Sequence, residues 1–282
     1  MMEIFDDTRC ALGEGPLWHP ERRQLFWFDI LGGRLLTREG DERRQWQFDG
    51  PVSAAGWVDR DTLLIASDEA LLRFDIATGQ SGQICPLEAD NPVTRSNDGR
   101  ADPQGGFWIG TMGRNAEEGA GAIYRYWRGE LRRLFAPITI SNAICFAPGG
   151  ERAYFADTPT YRIMTVALDA DGWPTGDPAV FVDLSEARRR PDGAVIDAEG
   201  NLWNAQYGAG CVACYAPDGR LLSRIELPAS QATCPAFGGP DLRTLFCTSA
   251  AKGLPPREGG ADGMTFRLAD AGIGLPEHQV IL

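Results

Sequence analysis

Apolar residues run along this chain in short stretches of alternating character. Each stretch is cut off by glycine, proline, asparagine or aspartate, and no window sustains a helical period. Segments such as ALLRFDIATG, GAIYRYW, RIMTVALDADG and CVACYAPDGRLLSRIEL read as strands closed by hairpin turns at ATG, ADG and PDG. A longer pattern lies over them. A small polar residue leads, a few apolar residues follow, then a turn with Asp, Pro or Gly, then a strand rich in aromatic and β-branched residues. It occurs six times: EGPLWHPERRQLFWFDI, SAAGWVDRDTLLIAS, NDGRADPQGGFWIGTM, NAICFAPGGERAYFADT, DGAVIDAEGNLWNAQYG and TCPAFGGPDLRTLFCTS. The leading residues Glu14, Ser53, Asn97, Asn142, Asp192 and Thr233 are 39, 44, 45, 50 and 41 residues apart. A step of about 40 to 50 residues is that of one four-stranded propeller blade. The expected fold is therefore all-β, a six-bladed β-propeller closed as a single domain over residues 1–282. The N-terminal MEIFDDT is expected to add a strand to the last blade beside TFRL and HQVIL. A pair of β-sandwiches accounts for the strands but not for six units in register.

The innermost strand of a propeller blade runs along the central channel, so residues at equivalent positions of different blades converge at one mouth. All six leading residues are polar. Two carboxylates and two amides aimed at one point repel unless a cation lies between them. Glu14, Asn142 and Asp192 are thus candidate ligands of one divalent metal at the channel mouth, with Asn97 a fourth ligand or a substrate contact. An oxygen donor set suits Ca²⁺, Mg²⁺ or Mn²⁺ and also accepts Zn²⁺ or Fe²⁺. Ser53 and Thr233 are read as hydrogen-bonding residues of the channel. Trp18, Trp108 and Trp203 fall within strands and are expected to pack between blades. Tyr161, Tyr207 and Lys252 fall in connections after inner strands.

Composition narrows the function. The formal net charge of −12 opposes phosphate backbones, so nucleic acid is not expected as a partner. No apolar run is long enough to span a membrane. The acidic MMEIFDDTRC start is no secretory signal, which points to the cytoplasm. The chain's 7 cysteines are irregularly spaced. The one CxxC, Cys211 with Cys214, lies in a strand that sends the two side chains to opposite faces, so both are read as small reduced apolar residues. With only 2 histidines, His19 and His278, and neither HExxH nor GxSxG, the common zinc-protease and serine-hydrolase constellations are absent. The basic run in RRRPDG at 188–193 reads as a solvated loop from which one arginine could reach an anionic substrate.

LGEGPLWHP, RSNDGRADPQGGFWIGTM, SNAICFAPGGERAYFADT and PDGAVIDAEGNLWNAQYG, in this order and followed by GGPDLRTLFCTS, resemble the signature stretches of the SMP-30/gluconolactonase/regucalcin-like family from end to end. The resemblance implies a six-bladed propeller that opens sugar lactones with one divalent metal. It matches Glu14, Asn142 and Asp192 to metal ligands, and Arg95 and Asn97 to residues that hold substrate oxygens. An acidic substrate contact follows GTM in the family's animal members. Here the equivalent position falls near Asn115, with Glu117 and Glu118 just beyond. The expected reaction is hydrolysis of a sugar aldonolactone to the aldonic acid, the metal polarising the carbonyl and Asp192 or a metal-bound hydroxide activating water. An aryl-ester or phosphotriester hydrolase on the same site, and a non-enzymatic calcium-binding scaffold, are the alternatives. A closed ring needs no partner, so a monomer is expected.

Overall fold

The computed structural model describes residues 2–255 and 259–282. Among these residues the strands form six four-stranded sheets, antiparallel throughout and arranged as a six-bladed β-propeller. Blades I to V are continuous in sequence, spanning 13–47, 52–86, 94–138, 141–183 and 190–226. Blade VI takes three strands from 232–268 and its outermost strand, Glu3–Asp6, from the N-terminus. The ring closes where Thr233 of blade VI donates to the Gly13 carbonyl of blade I at 2.6 Å. No α-helix occurs among the described residues, and none is long and apolar enough to cross a membrane.

Each blade grades from dry to wet. The second strand of blade I, QLFWFD at Gln24–Asp29, is buried at every position. Its outermost strand, ERRQWQ at Glu42–Gln47, is almost wholly exposed. Six apolar clusters fill the six interfaces between neighbouring blades. Tryptophans anchor several of them. Trp203 meets Phe237 edge-on, Trp108 meets Phe146 likewise, and Trp18 stacks on Phe246, each pair spanning two blades. Asp102 forms the turn its sequence suggests by accepting from the Gln104 and Gly106 amides. It also ion-pairs with the fully buried Arg125 at 2.6 Å.

The end of the chain departs from expectation. HQVIL is not a strand of blade VI, where the N-terminal strand pairs with Thr265–Leu268 instead. Residues 273–281 cross the rear of the ring. Ile273 accepts from the Ala198 amide of blade V, Val280 donates to Trp57 of blade II, and Ile281 donates to Gly105 of blade III. Val280 packs into blade II against Gly56, where any side chain would collide with it. The Glu277 carboxylate pairs with Arg100, which projects from blade III into the channel from beneath. The tail is held there by these backbone bonds, by the buried Val280 side chain and by the Glu277–Arg100 pair.

Removing one partner of a buried ion pair strands the other charge and costs about 3–5 kcal/mol. Glu277→Ala should therefore lower the urea midpoint clearly. The double variant Glu277→Ala/Arg100→Met should recover much of that loss. Equal stability of the single variant and the wild type would show that the tail does not hold the channel.

Candidate active site

The inner strands do not run straight past the channel mouth. In five blades the pairing with the second strand slips at the same place, two residues facing one: Gly15–Pro16, Asn97–Asp98, Ala143–Ile144, Asp192–Gly193 and Thr233–Cys234. Such bulges bend a strand and re-aim its side chains. They also correct the expectation of one shared register. Asn97, Asp192 and Thr233 sit in the bulge, whereas Glu14 and Asn142 sit one residue before it. Those two are followed by left-handed residues, Gly15 at φ 52° and Ala143 at φ 57°. A Cβ on Gly15 would press on the Ser53 carbonyl, so glycine is required there. The bulge thus lets two successive positions reach the same space.

Glu14, Arg95, Asn97, Asn115, Asn142 and Asp192 all line one cavity of about 690 Å³ at this mouth. Tyr161, Tyr207 and Lys252 line it too. Ser53 and Thr233 do not. Ser53 donates to Ser96 at 2.8 Å and Thr233 to Gly13, so they tie neighbouring inner strands together. His19 is fully buried in blade I, its Nε2 bonded to the Asp59 carbonyl, and His278 lies on the rear tail. Neither faces the cavity.

The floor residues are wired together. Arg95 Nη1 donates to the Ser96 carbonyl at 2.7 Å and to Asn97 Oδ1 at 2.8 Å. Asn97 Nδ2 donates to the Ser141 carbonyl and to Asn142 Oδ1. Asn142 Nδ2 donates to Thr158 Oγ1 at 2.8 Å, so both ends of the amide are held, its oxygen by Asn97 and its nitrogen by Thr158. The Thr158 hydroxyl in turn donates to the Pro191 carbonyl, one residue before Asp192. One hydroxyl thus braces both Asn142 and the strand that carries Asp192. Asn204 holds the Asp192 bulge by donating to its carbonyl and to that of Gly193. Arg95 is not paired with Asp98.

Charge at the floor is unbalanced. Burial, with Asp98 nearby, pushes the Glu14 carboxyl up to about 8. Burial, then Glu14 and Asp98, hold Asp192 well above the usual carboxylate range. Asp98 lies just below, its Oδ2 accepting the Ile144 amide, and burial raises it to about 6. The two carboxyls are near enough to interact, so a proton bound at one favours ionisation of the other. Arg95 is the nearby countercharge, and burial lowers it to about 10. A divalent cation between Glu14, Asp192 and the oriented Asn142 oxygen fits this donor set. No group of three or more His, Cys, Asp or Glu among the described residues is placed for metal binding. Such a site therefore depends on the Asn142 amide.

The profile of the SMP-30/Gluconolactonase/LRE-like region matches residues 12–251. The chain belongs to this family. It is 43% identical over 94% of its length to a Rhizobium meliloti protein provisionally named a sugar lactone lactonase, covering 92% of that protein. It is 33% identical to the pentonolactonase XacC of Haloferax volcanii, over 97% of this chain and 96% of that one. The crystal structure of regucalcin from Agrobacterium tumefaciens, described as a calcium-binding protein, superposes with a TM-score of 0.97 at 42% identity, over 100% of this chain and 98% of that one.

Within the family frame, three residues escape a reading by sequence. Asp98 in RSNDG looks like a turn residue, yet the bulge drops it into the channel. Thr158 ends one of the signature stretches and carries no mark of its bracing role. Asn204 reads as an ordinary strand residue. Asn115 does line the cavity, while Glu117 folds back to accept its backbone and side-chain N–H groups.

Raised carboxyl values mean that the ionised forms are disfavoured in the folded protein. This cost is fullest at high pH and fades as pH falls through those values. In chelator-treated protein Asp192→Asn should therefore raise Tm by about 2–4 °C near pH 9. The gain should vanish towards about pH 5. A lower Tm at both pH values would mean that the carboxylates are not in conflict.

Proposed function

We propose that this protein hydrolyses a sugar aldonolactone to its aldonic acid. The observation that carries the reading is the pair of buried carboxylates, Glu14 and Asp192, meeting an oriented amide oxygen beside Arg95 on the floor of a ligand-sized cavity. Glu14, Asn142 and Asp192 would hold one divalent cation, Ca²⁺, Zn²⁺, Mg²⁺, Mn²⁺ or Fe²⁺. That cation would supply the positive charge that polarises the lactone carbonyl. The regucalcin structure's description as calcium-binding and the lactonase names of the relatives support this assignment.

In this reading Asp192 takes a proton from the attacking water. The water oxygen bonds to the carbonyl carbon, the ring C–O bond breaks, and the ring oxygen leaves with a proton as a hydroxyl. The new carboxylic acid ionises, so each turnover releases one proton. Arg95 Nη1 is committed to Ser96 and Asn97, which leaves its other N–H groups to grip substrate oxygens. Asn97 and Asn115 offer further amide contacts, and Thr158 holds Asn142 in its rotamer. The position of both histidines away from the cavity speaks against a phosphotriesterase site built on histidine. Two carboxylates converging in a cavity speak against a pure scaffold. We read residues 1–282 as one domain acting as a cytoplasmic monomer.

The test is to strip the protein with chelator, reload it with single metals, and follow acid release from glucono-, galactono-, xylono- and arabinono-lactone against the spontaneous rate. Glu14→Gln and Asp192→Asn should each lose on the order of 10²–10³ in kcat. Failure of every metal to restore hydrolysis of any of these lactones would refute the assignment. Thr158→Val should weaken metal affinity by about 10-fold or more, and Thr158→Ser should recover it. Unchanged affinity in Thr158→Val would exclude the bracing role.

A further inference from the structure

The cavity wall carries charge of the opposite sense to the rest of the chain. The sequence has 39 acidic and 27 basic residues, yet the wall presents Arg95, Arg114, Arg190 and Lys252 against only Glu14 and Asp192. Both carboxylates lie at the floor, where the proposed cation would neutralise them, and Arg95 lies beside them. The other three bases come from different blades. Arg114 follows the second strand of blade III and is held by Asp68 at 2.7 Å and by the Pro92 carbonyl. Arg190 is the first residue of the blade V inner strand, exposed, with no carboxylate partner among the described residues. Lys252 follows the second strand of blade VI.

Neither acidic side chain of the GTMGRNAEEG loop, Glu117 or Glu118, lines the cavity. Glu117 accepts from the Asn115 backbone amide and from Asn115 Nδ2, both at 3.0 Å. Asn115 therefore lines the cavity as a neutral residue. Tyr161 and Tyr207 complete the wall. Such a surface is costly to maintain around a neutral ligand, because like charges repel. It is matched to a ligand with an anion at the end remote from the reacting carbonyl.

We propose that the lactone opened here carries an anionic group, a carboxylate or a phosphate, on the carbon remote from the ring carbonyl, and that Arg190, with Arg114 and Lys252, binds it. The inference rests on the lactonase reading and adds the substrate class. The reaction that supplies such a lactone is oxidation of an acidic sugar at its anomeric carbon. The product is a dicarboxylate or a phosphorylated aldonate.

The experiment compares kcat/KM for glucono-1,5-lactone, its 6-carboxylate counterpart glucaro-1,5-lactone, and 6-phosphoglucono-lactone, using metal-loaded protein. At least one acidic lactone should exceed the neutral one by about ten-fold or more, and the better of the two identifies the anion. The advantage should shrink between about 20 mM and about 200 mM salt. Arg190→Gln should cut the acidic-to-neutral ratio by roughly five- to ten-fold. Calorimetry gives a readout independent of turnover, since glucarate or 6-phosphogluconate should bind more tightly than gluconate, and Arg190→Gln should remove the difference. A neutral lactone opened as well as both acidic ones, with a ratio indifferent to salt and to Arg190→Gln, would overturn the inference and leave the lactonase reading standing. Tighter, Arg190-dependent binding of one of the dianions without hydrolysis of any lactone would uphold the anion site and sink the lactonase reading. Loss of both signals would remove both.

Discussion

Three carboxylates, Glu14, Asp98 and Asp192, are buried in one channel, with Arg95 beside the upper pair and Arg100, already paired with Glu277, beneath Asp98. Their repulsion and lost hydration are a standing cost that the fold must carry. The six apolar interfaces between blades provide the rigidity that keeps the three from moving apart. The bracing hydrogen bonds converge on the same place. Thr158 steadies Asn142 and the strand bearing Asp192, while Asn204 steadies the bulge. The Asp98 carboxylate takes the Ile144 amide of the next blade, so the strained centre is tied to the ring around it.

Much of the architecture was legible because a propeller is local. Each blade is built from consecutive strands joined by short turns, so ATG, ADG and PDG mark its hairpins without reference to distant residues. The site was legible for a related reason, since repetition of one position around the ring turns a linear spacing into a spatial cluster. What failed was the finer register. A bulge adds a residue without a distinctive signature: Gly15 and Gly193 hint at two of them, whereas Ala143 takes the same left-handed conformation as Gly15 unannounced. Asp98 was hidden because SNDG has the composition of a turn, and its burial depends on strands from other blades. The tail HQVIL ends in three apolar, partly β-branched residues and so reads as a strand. Its true place is decided by Gly56 and Trp57, more than two hundred residues earlier.

Charge is distributed with similar economy along the axis. The rear of the channel is closed by the Arg100–Glu277 pair, so the low-dielectric floor is sealed from below as well as walled by blades. The front is open and basic at its rim. A ligand entering there moves from long-range attraction to short-range hydrogen bonding, the sequence that favours fast capture followed by defined orientation.

The N-terminal strand of blade VI has a consequence for how the molecule is made. Glu3–Asp6 is synthesised before blades I to V, and its partner Thr265–Leu268 after them. Blades I to V can form in order during synthesis, each from its own stretch of chain. The circle stays open until Thr265–Leu268 emerges, and Glu3–Asp6 must wait unpaired until then. Glu14 of blade I and Asp192 of blade V come together only at that closure. The conflict between these buried carboxylates therefore arises late, when the interfaces able to hold it have been assembled.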